Sequence, residues 1–124
     1  MIAVMTHCGE SGDTGLRMGK LPERYKRFMQ TYPEIGKAYR ELGDAVAEAG
    51  PLEPKVCALI KLGLSIGSKQ EGAARSHVRK ALEAGATADE IRHAVLQATT
   101  TVGFPAMMAG FSWAEDVLGS SSNE

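Results

Sequence analysis

Five side chains hold most of the chemistry this sequence can offer: His77, Glu71, Lys61, Cys8 and Cys57. An imidazole titrates near neutral pH, so His77 is the natural proton carrier. It falls on an apolar helical face with Ala74, Val78, Ala81 and Leu82. On such a face a histidine is either a hydrogen-bonded core residue or a catalytic one. Glu71 stands three residues after Ser68, the spacing of a capping box in which the carboxylate reaches back to the backbone. Its rival role is to orient or accept a proton across a subunit contact. Lys61 interrupts the apolar run from Val56 to Ile66. Its ammonium must reach water, a buried carboxylate or a ligand anion.

The remaining candidates are weaker. Cys8 and Cys57 are too far apart and too few for a disulfide framework or a zinc pattern. Cys57 lies in an apolar run and reads as a small packed hydrophobe. His7 and Cys8 are adjacent, which makes a poor metal site. His93 lies off the apolar stripe of its helix and reads as solvated or at an interface. The pair Met107 and Met108, with Phe104 and Phe111, reads as packing. No metal and no cofactor are expected.

The elements that must position these groups all have helical spacing, so the expected class is all-α, a bundle of about six helices. Residues 1–20 carry Gly9, Gly12, Gly15 and Gly19 without apolar periodicity and read as a flexible arm. The ordered domain is expected over 21–118, and 119–124 reads as a disordered tail. Pro22 opens a first helix to about Gln30, and Pro33 a second that Gly50-Pro51 stops. Pro54 opens a third, apolar nearly all round, which suits the centre of a bundle or an oligomer. Ser68 and Glu71 would cap the fourth, which Gly85 ends. Thr87 and Glu90 would cap the fifth, whose stripe of Ile91, Ala94, Val95, Ala98 and Val102 runs to Gly103. In the last helix Phe104, Met107, Met108, Phe111, Ala114 and Leu118 form one stripe, with Trp113 and Val117 elsewhere.

The chain has 124 residues and a net charge of −1, with no long basic run, so nucleic-acid binding is not expected. No apolar stretch is long enough to span a membrane, and the start lacks the basic, then apolar, pattern of a signal peptide. A reducing cytoplasm is the expected compartment. A chain this short exposes much apolar surface, so a homo-oligomer is expected.

Three segments carry a resemblance. Leu52-Glu53-Pro54-Lys55-Val56-Cys57-Ala58-Leu59-Ile60 is similar to the opening of the carboxymuconolactone decarboxylase domain. His77 through Ile91 resembles the signature H-x-x-x-A-L-x-x-G-A-T-x-x-E-I. Gly103-Phe104-Pro105-Ala106 followed by Ala109 is similar to the ending G-x-P-A-x-x-x-A. The sequence thus resembles the carboxymuconolactone decarboxylase and alkylhydroperoxidase D superfamily over residues 50–118. The resemblance implies an all-helical fold, symmetric oligomers and active sites near the subunit contact.

Within that resemblance the redox branch uses C-x-x-C-x-x-x-H, in which a helix-terminal thiolate and a resolving cysteine form a disulfide. Here the two cysteine places hold Gln70 and Ala73, and the place of a catalytic glutamate holds Ala58. Glu71 and Gly72 match the interior of a C-E-G-C variant. A peroxidatic cycle through that motif is therefore ruled out. The decarboxylase branch keeps the histidine and implies proton transfer on a lactone acid without a metal. On that reading His77 is the acid/base, with Glu71 as its candidate companion. Lys61, Arg75 or Arg79 would hold the substrate anion. The branch's tyrosine before G-x-P-A is Thr101 here, and its third-helix arginine is missing. Three functions follow: non-redox acid/base or lyase-type chemistry on a small organic acid around His77; alkylhydroperoxidase (peroxiredoxin-type) activity through Cys57 or Cys8; or a non-catalytic oligomeric binding module.

Overall fold

A computed structural model describes residues 23–122. The expected arm at 1–20, with His7 and Cys8, lies outside the described residues. Among these there are six α-helices, one 3₁₀ turn and no strand. The helices are α1 (Glu23–Thr31), α2 (Pro33–Glu48), α3 (Pro54–Gly67), α4 (Glu71–Glu83), α5 (Ala88–Leu96) and α6 (Phe104–Ser122), with the 3₁₀ turn at Gln97–Thr100 between the last two. The all-α expectation holds. Contacts divide the chain after Pro54 into two compact units.

The first unit holds α1 and α2. Pro33 sits at the helix start, where its missing N–H costs nothing. Tyr32 breaks the helical dihedrals with φ −125° and ψ 69°. That break folds α1 back on α2, so that Met29 covers the buried Gly36.

The second unit holds α3 to α6 around a core of small side chains. Leu62, Ile66, Val78, Ile91 and Val95 are its largest fully buried members, with alanines 58, 74, 81, 86, 98 and 114 between them. The small residues let helix axes approach closely. At Gly110 on α6 a Cβ would stand 2.7 Å from Ile66 Cδ1, so α3 and α6 meet through a missing side chain. We therefore expect Gly110→Val to destabilise by about 1–3 kcal/mol through overpacking. Gly63→Ala on α3, where a Cβ meets nothing within 4 Å, should be neutral or stabilising by up to about 1 kcal/mol. The urea midpoint should therefore fall for Gly110→Val and hold or rise for Gly63→Ala, and a fall in both, or in neither, would refute the packing.

Two turns distinguish the expected caps. Thr87 Oγ1 accepts from the Glu90 N–H and the Glu90 carboxylate accepts from the Thr87 N–H, each at 3.0 Å. That capping box is as expected, and such a cap is worth about 1 kcal/mol. The box expected at Ser68 does not form. The Ser68 hydroxyl donates to the Leu64 carbonyl at 2.8 Å, inside the last turn of α3. The amides of Lys69 and Gln70 donate to the carbonyls of Ile66 and Ser65, and Lys69 takes φ +59°. This is a Schellman-type stop. It consumes residues 68–70 as the end of α3, so Gln70 becomes the N-cap of α4 with no side-chain bond.

Three faces also differ from the pattern. In α3, Ala58, Leu62 and Ile66 are buried while Val56, Ile60 and Leu64 are exposed, so within one chain the helix is covered on one side only. In α6, Phe104 and Met108 are exposed although they share the expected stripe, whereas Trp113 and Val117 pack against the core. Gly110 at the α3 contact rotates the buried face toward them. The α6 helix also runs to Ser122, beyond the expected end at Leu118. The α-helix ends at Leu96, and the stripe expected to run on to Val102 stops at the buried Ala98. There the N–H groups of Thr101, Val102 and Gly103 converge on the Ala98 carbonyl. Three consecutive threonines, 99–101, are poor helix interior residues because of their branched Cβ.

Candidate functional site

α4 sorts the expected site residues by its own geometry. At 100° per residue, His77 lies on one edge of the buried stripe of Ala74, Val78 and Ala81, while Arg75 and Arg79 are roughly 160° away on the other side. Glu71 is on the far side too, about 120° from His77. The five expected residues therefore form two separate groups.

The first group is an ion-pair network. Arg75 bonds Glu71 at 2.8 Å one turn away and Asp116 on α6 at 3.0 Å. Both carboxylates favour the charged guanidinium, Glu71 most, and its pKa is raised. Arg75 thereby clamps α4 to α6, as Arg92 clamps α5 to Glu115 at 2.6 Å. With two carboxylates on it, Arg75 has little charge left for a substrate. Glu71 is exposed and committed to Arg75, neither capping α4 nor aimed at His77. Arg79 is half-buried; burial first and the Arg75 charge second lower its pKa, with Glu83 acting against them.

The second group surrounds His77. Its Nδ1 is buried with no hydrogen-bond partner. Burial, then the charges of Lys80 and Lys61, push its pKa down from 6.5 to about 4. At neutral pH the imidazole is therefore neutral. A buried polar atom without a partner is costly and needs an explanation. Its helical neighbours at i−4, i−3 and i+4 are Ala73, Ala74 and Ala81. Each ends in a methyl group, which cannot bond the imidazole. Ala58 and Ala73, at the glutamate and second cysteine places, add neither carboxylate nor thiol.

Lys61, on α3, is half-buried and acts on His77 from the neighbouring helix. Lys80 was missed by sequence reasoning, although its place three residues after His77 could have revealed it. Cys57 is a half-buried thiol, outside any disulfide, one turn before Lys61. His93 is exposed on α5. Among the described residues no group of three or more histidine, cysteine or acidic side chains could hold a metal.

A concavity of about 430 Å³ lies elsewhere, on α1, lined by Glu23, Arg24, Arg27, Phe28, Thr31 and Tyr32. It is shaped by one helix and open to solvent. None of the expected site residues lines it. The unpartnered imidazole is the better marker of chemistry.

Among the described residues no helix is long and apolar enough to cross a membrane. The model of one protein family, the Carboxymuconolactone decarboxylase family, matches residues 33–116, well over half of the chain. No curated protein and no solved structure shows a significant match.

Proposed function

This chain belongs to the carboxymuconolactone decarboxylase family, and from that premise we propose that it binds a small organic acid beside His77 and performs non-redox, acid/base chemistry of the lyase type on it. One observation carries the reading: a buried imidazole nitrogen without a partner, between two lysine charges and three alanines. Cations beside a neutral base suit an anionic ligand. The carboxylate would lie toward Lys61, and the unpartnered Nδ1 would meet the acid or an adjoining polar atom.

Binding also tunes the base. The same lysine charges that keep His77 deprotonated are offset when a carboxylate arrives. Its pKa then rises, and the imidazole becomes able to accept a proton from the bound acid. Arg75 and Glu71 hold α4 against α6 in this account and take no part in the chemistry. Arg79 stays a candidate anion holder on the opposite side of α4. A homo-oligomer is part of the proposal, in keeping with the exposed apolar faces of α2 and α3.

Calorimetric titration with a panel of small mono- and dicarboxylic acids tests this. At least one acid should bind, more tightly as pH falls from 7 to 5, and His77→Ala should weaken it at least tenfold. If no acid binds, or if His77→Ala binds equally well, the proposal is wrong. Mass spectrometry after mild peroxide treatment addresses the thiol alternative. Reversible oxidation of Cys57 or Cys8 that supports hydroperoxide turnover would replace this reading.

A further inference from the structure

In the first unit an arginine bonds sulfur. Arg40 Nη1 donates to Met29 Sδ at 3.7 Å. Among the described residues no carboxylate pairs with this guanidinium, although Asp44 stands one turn further along α2. A thioether is a weak acceptor, whereas a guanidinium is a charged donor suited to oxygen. The donor is therefore stronger than the acceptor it has.

The sulfur is also held in place. A Cβ on Gly36 would stand 2.5 Å from Met29 Sδ and 3.6 Å from Arg40 Nη1. Gly36 and Arg40 are one turn apart and share a face of α2. α1 thus sets its thioether into the notch left by a missing side chain, with the Gly36 backbone beneath it and the guanidinium beside it. Met29 is half-buried and Arg40 exposed, so small solutes reach the sulfur.

We propose that Met29 is a site of reversible sulfoxide formation by a hydroperoxide, and that Arg40 binds the sulfoxide oxygen. The step balances. A sulfur lone pair forms the S–O bond and the peroxide O–O bond breaks. The departing oxygen takes the proton of the transferred one and leaves as water, or as an alcohol from an organic hydroperoxide. Sulfur loses two electrons and the peroxide gains them. Two thiols reverse the change, restoring the thioether and yielding one disulfide and one water.

Gly36 closes one side of the sulfur, so the new oxygen emerges on the open side, where the guanidinium stands. One epimer fits. The exposed Arg40 arm draws back to the distance of a charge-assisted bond. A sulfoxide ordinarily disrupts the packing its methionine made. Here it replaces a weak N–H···S contact with a charge-assisted N–H···O bond, so oxidation tightens α1 on α2. The break between the helices feels this most. There the Tyr32 N–H donates to the Phe28 carbonyl at 2.9 Å and the Gly36 N–H to the Tyr32 carbonyl at 3.0 Å.

The proposal does not involve His77 or any acid, and its test runs in a Cys8→Ser, Cys57→Ser background. After dilute hydrogen peroxide and digestion, each sulfoxide peptide is offered to reductases specific for one epimer or the other. Met29 should favour one epimer at least about fourfold, and Met108, which is 46% exposed, by less than about twofold. In the intact oxidised protein, hydrogen exchange at the Tyr32 and Gly36 amides should slow at least about threefold, and reduction should restore it. In Arg40→Met, with its helix signal kept in circular dichroism, the epimer preference should vanish and oxidation should speed the same amides. Met29→Leu should abolish the effect of peroxide on them. Absence of sulfoxide at Met29, equal epimers there, or a preference unchanged in Arg40→Met would overturn the proposal. So would faster exchange in the oxidised parent, which would make the sulfoxide an ordinary lesion, or a peroxide effect that survives Met29→Leu.

Discussion

Taking the protein from pH 6.5 to pH 4 is expected to remove roughly 2–3 kcal/mol of stability through His77 alone. The unfolded imidazole takes up a proton near pH 6.5, whereas the native one, held neutral by burial and by Lys80 and Lys61, does so only near pH 4. Between those values the unfolded state binds more protons, so stability rises with pH across that window and is lost as pH falls. Urea unfolding at several pH values measures the slope. His77→Gln should flatten it between pH 6.5 and about 4.5. Glu90 acts in the same direction at lower pH. Its pKa is depressed by the Thr87 N–H first and Lys55 second, so its contribution is present above the usual carboxylate range and lost as pH falls through the native value. A wild-type slope that survives His77→Gln would place the titrating group elsewhere.

The second large effect is expected from Lys61→Glu. Lys61 opposes protonation of His77 from α3. A carboxylate at that place would favour the imidazolium and repel the proposed acid. We expect the His77 pKa to rise from about 4 but to stay below its ordinary value, because burial and Lys80 still hold it down, and acid affinity to fall at least about 100-fold. Lys61→Met, which removes the charge and keeps the stem, should fall between, at about tenfold. Equal affinities across the three proteins would exclude Lys61 from the site and leave Lys80 or Arg79 as the anion holder.

How much of this was legible in the sequence depends on the kind of signal. Pro33, Pro54, Gly85 and the Thr87–Glu90 pair mark helix ends through local backbone chemistry, and all stand at or next to the ends observed. His77 and its alanine neighbours are set by spacing on one helix. Ser68 could not be placed in advance, because one hydroxyl can serve the helix before it or the helix after it. The chain ends α3 with Lys69 in a left-handed conformation and leaves Ser68 in that last turn. The buried face of α6 depends on Gly110 meeting Ile66, a tertiary contact that no stripe of apolar residues announces. Arg75 and Glu71 entered as site candidates through the family resemblance, and no sequence pattern shows that Asp116, distant in sequence, joins them in one ion-pair network. Residues of one type at one spacing can thus be either structural or chemical, and the partner from another helix decides.

The most direct test follows the His77 imidazole by nuclear magnetic resonance through a pH titration, first free and then saturated with a small carboxylic acid that binds. A free value near 4, moving upward by at least one unit with the acid present, is the result expected of a base held neutral beside Lys61 and Lys80. A free value near 6.5 that the acid leaves in place would contradict it.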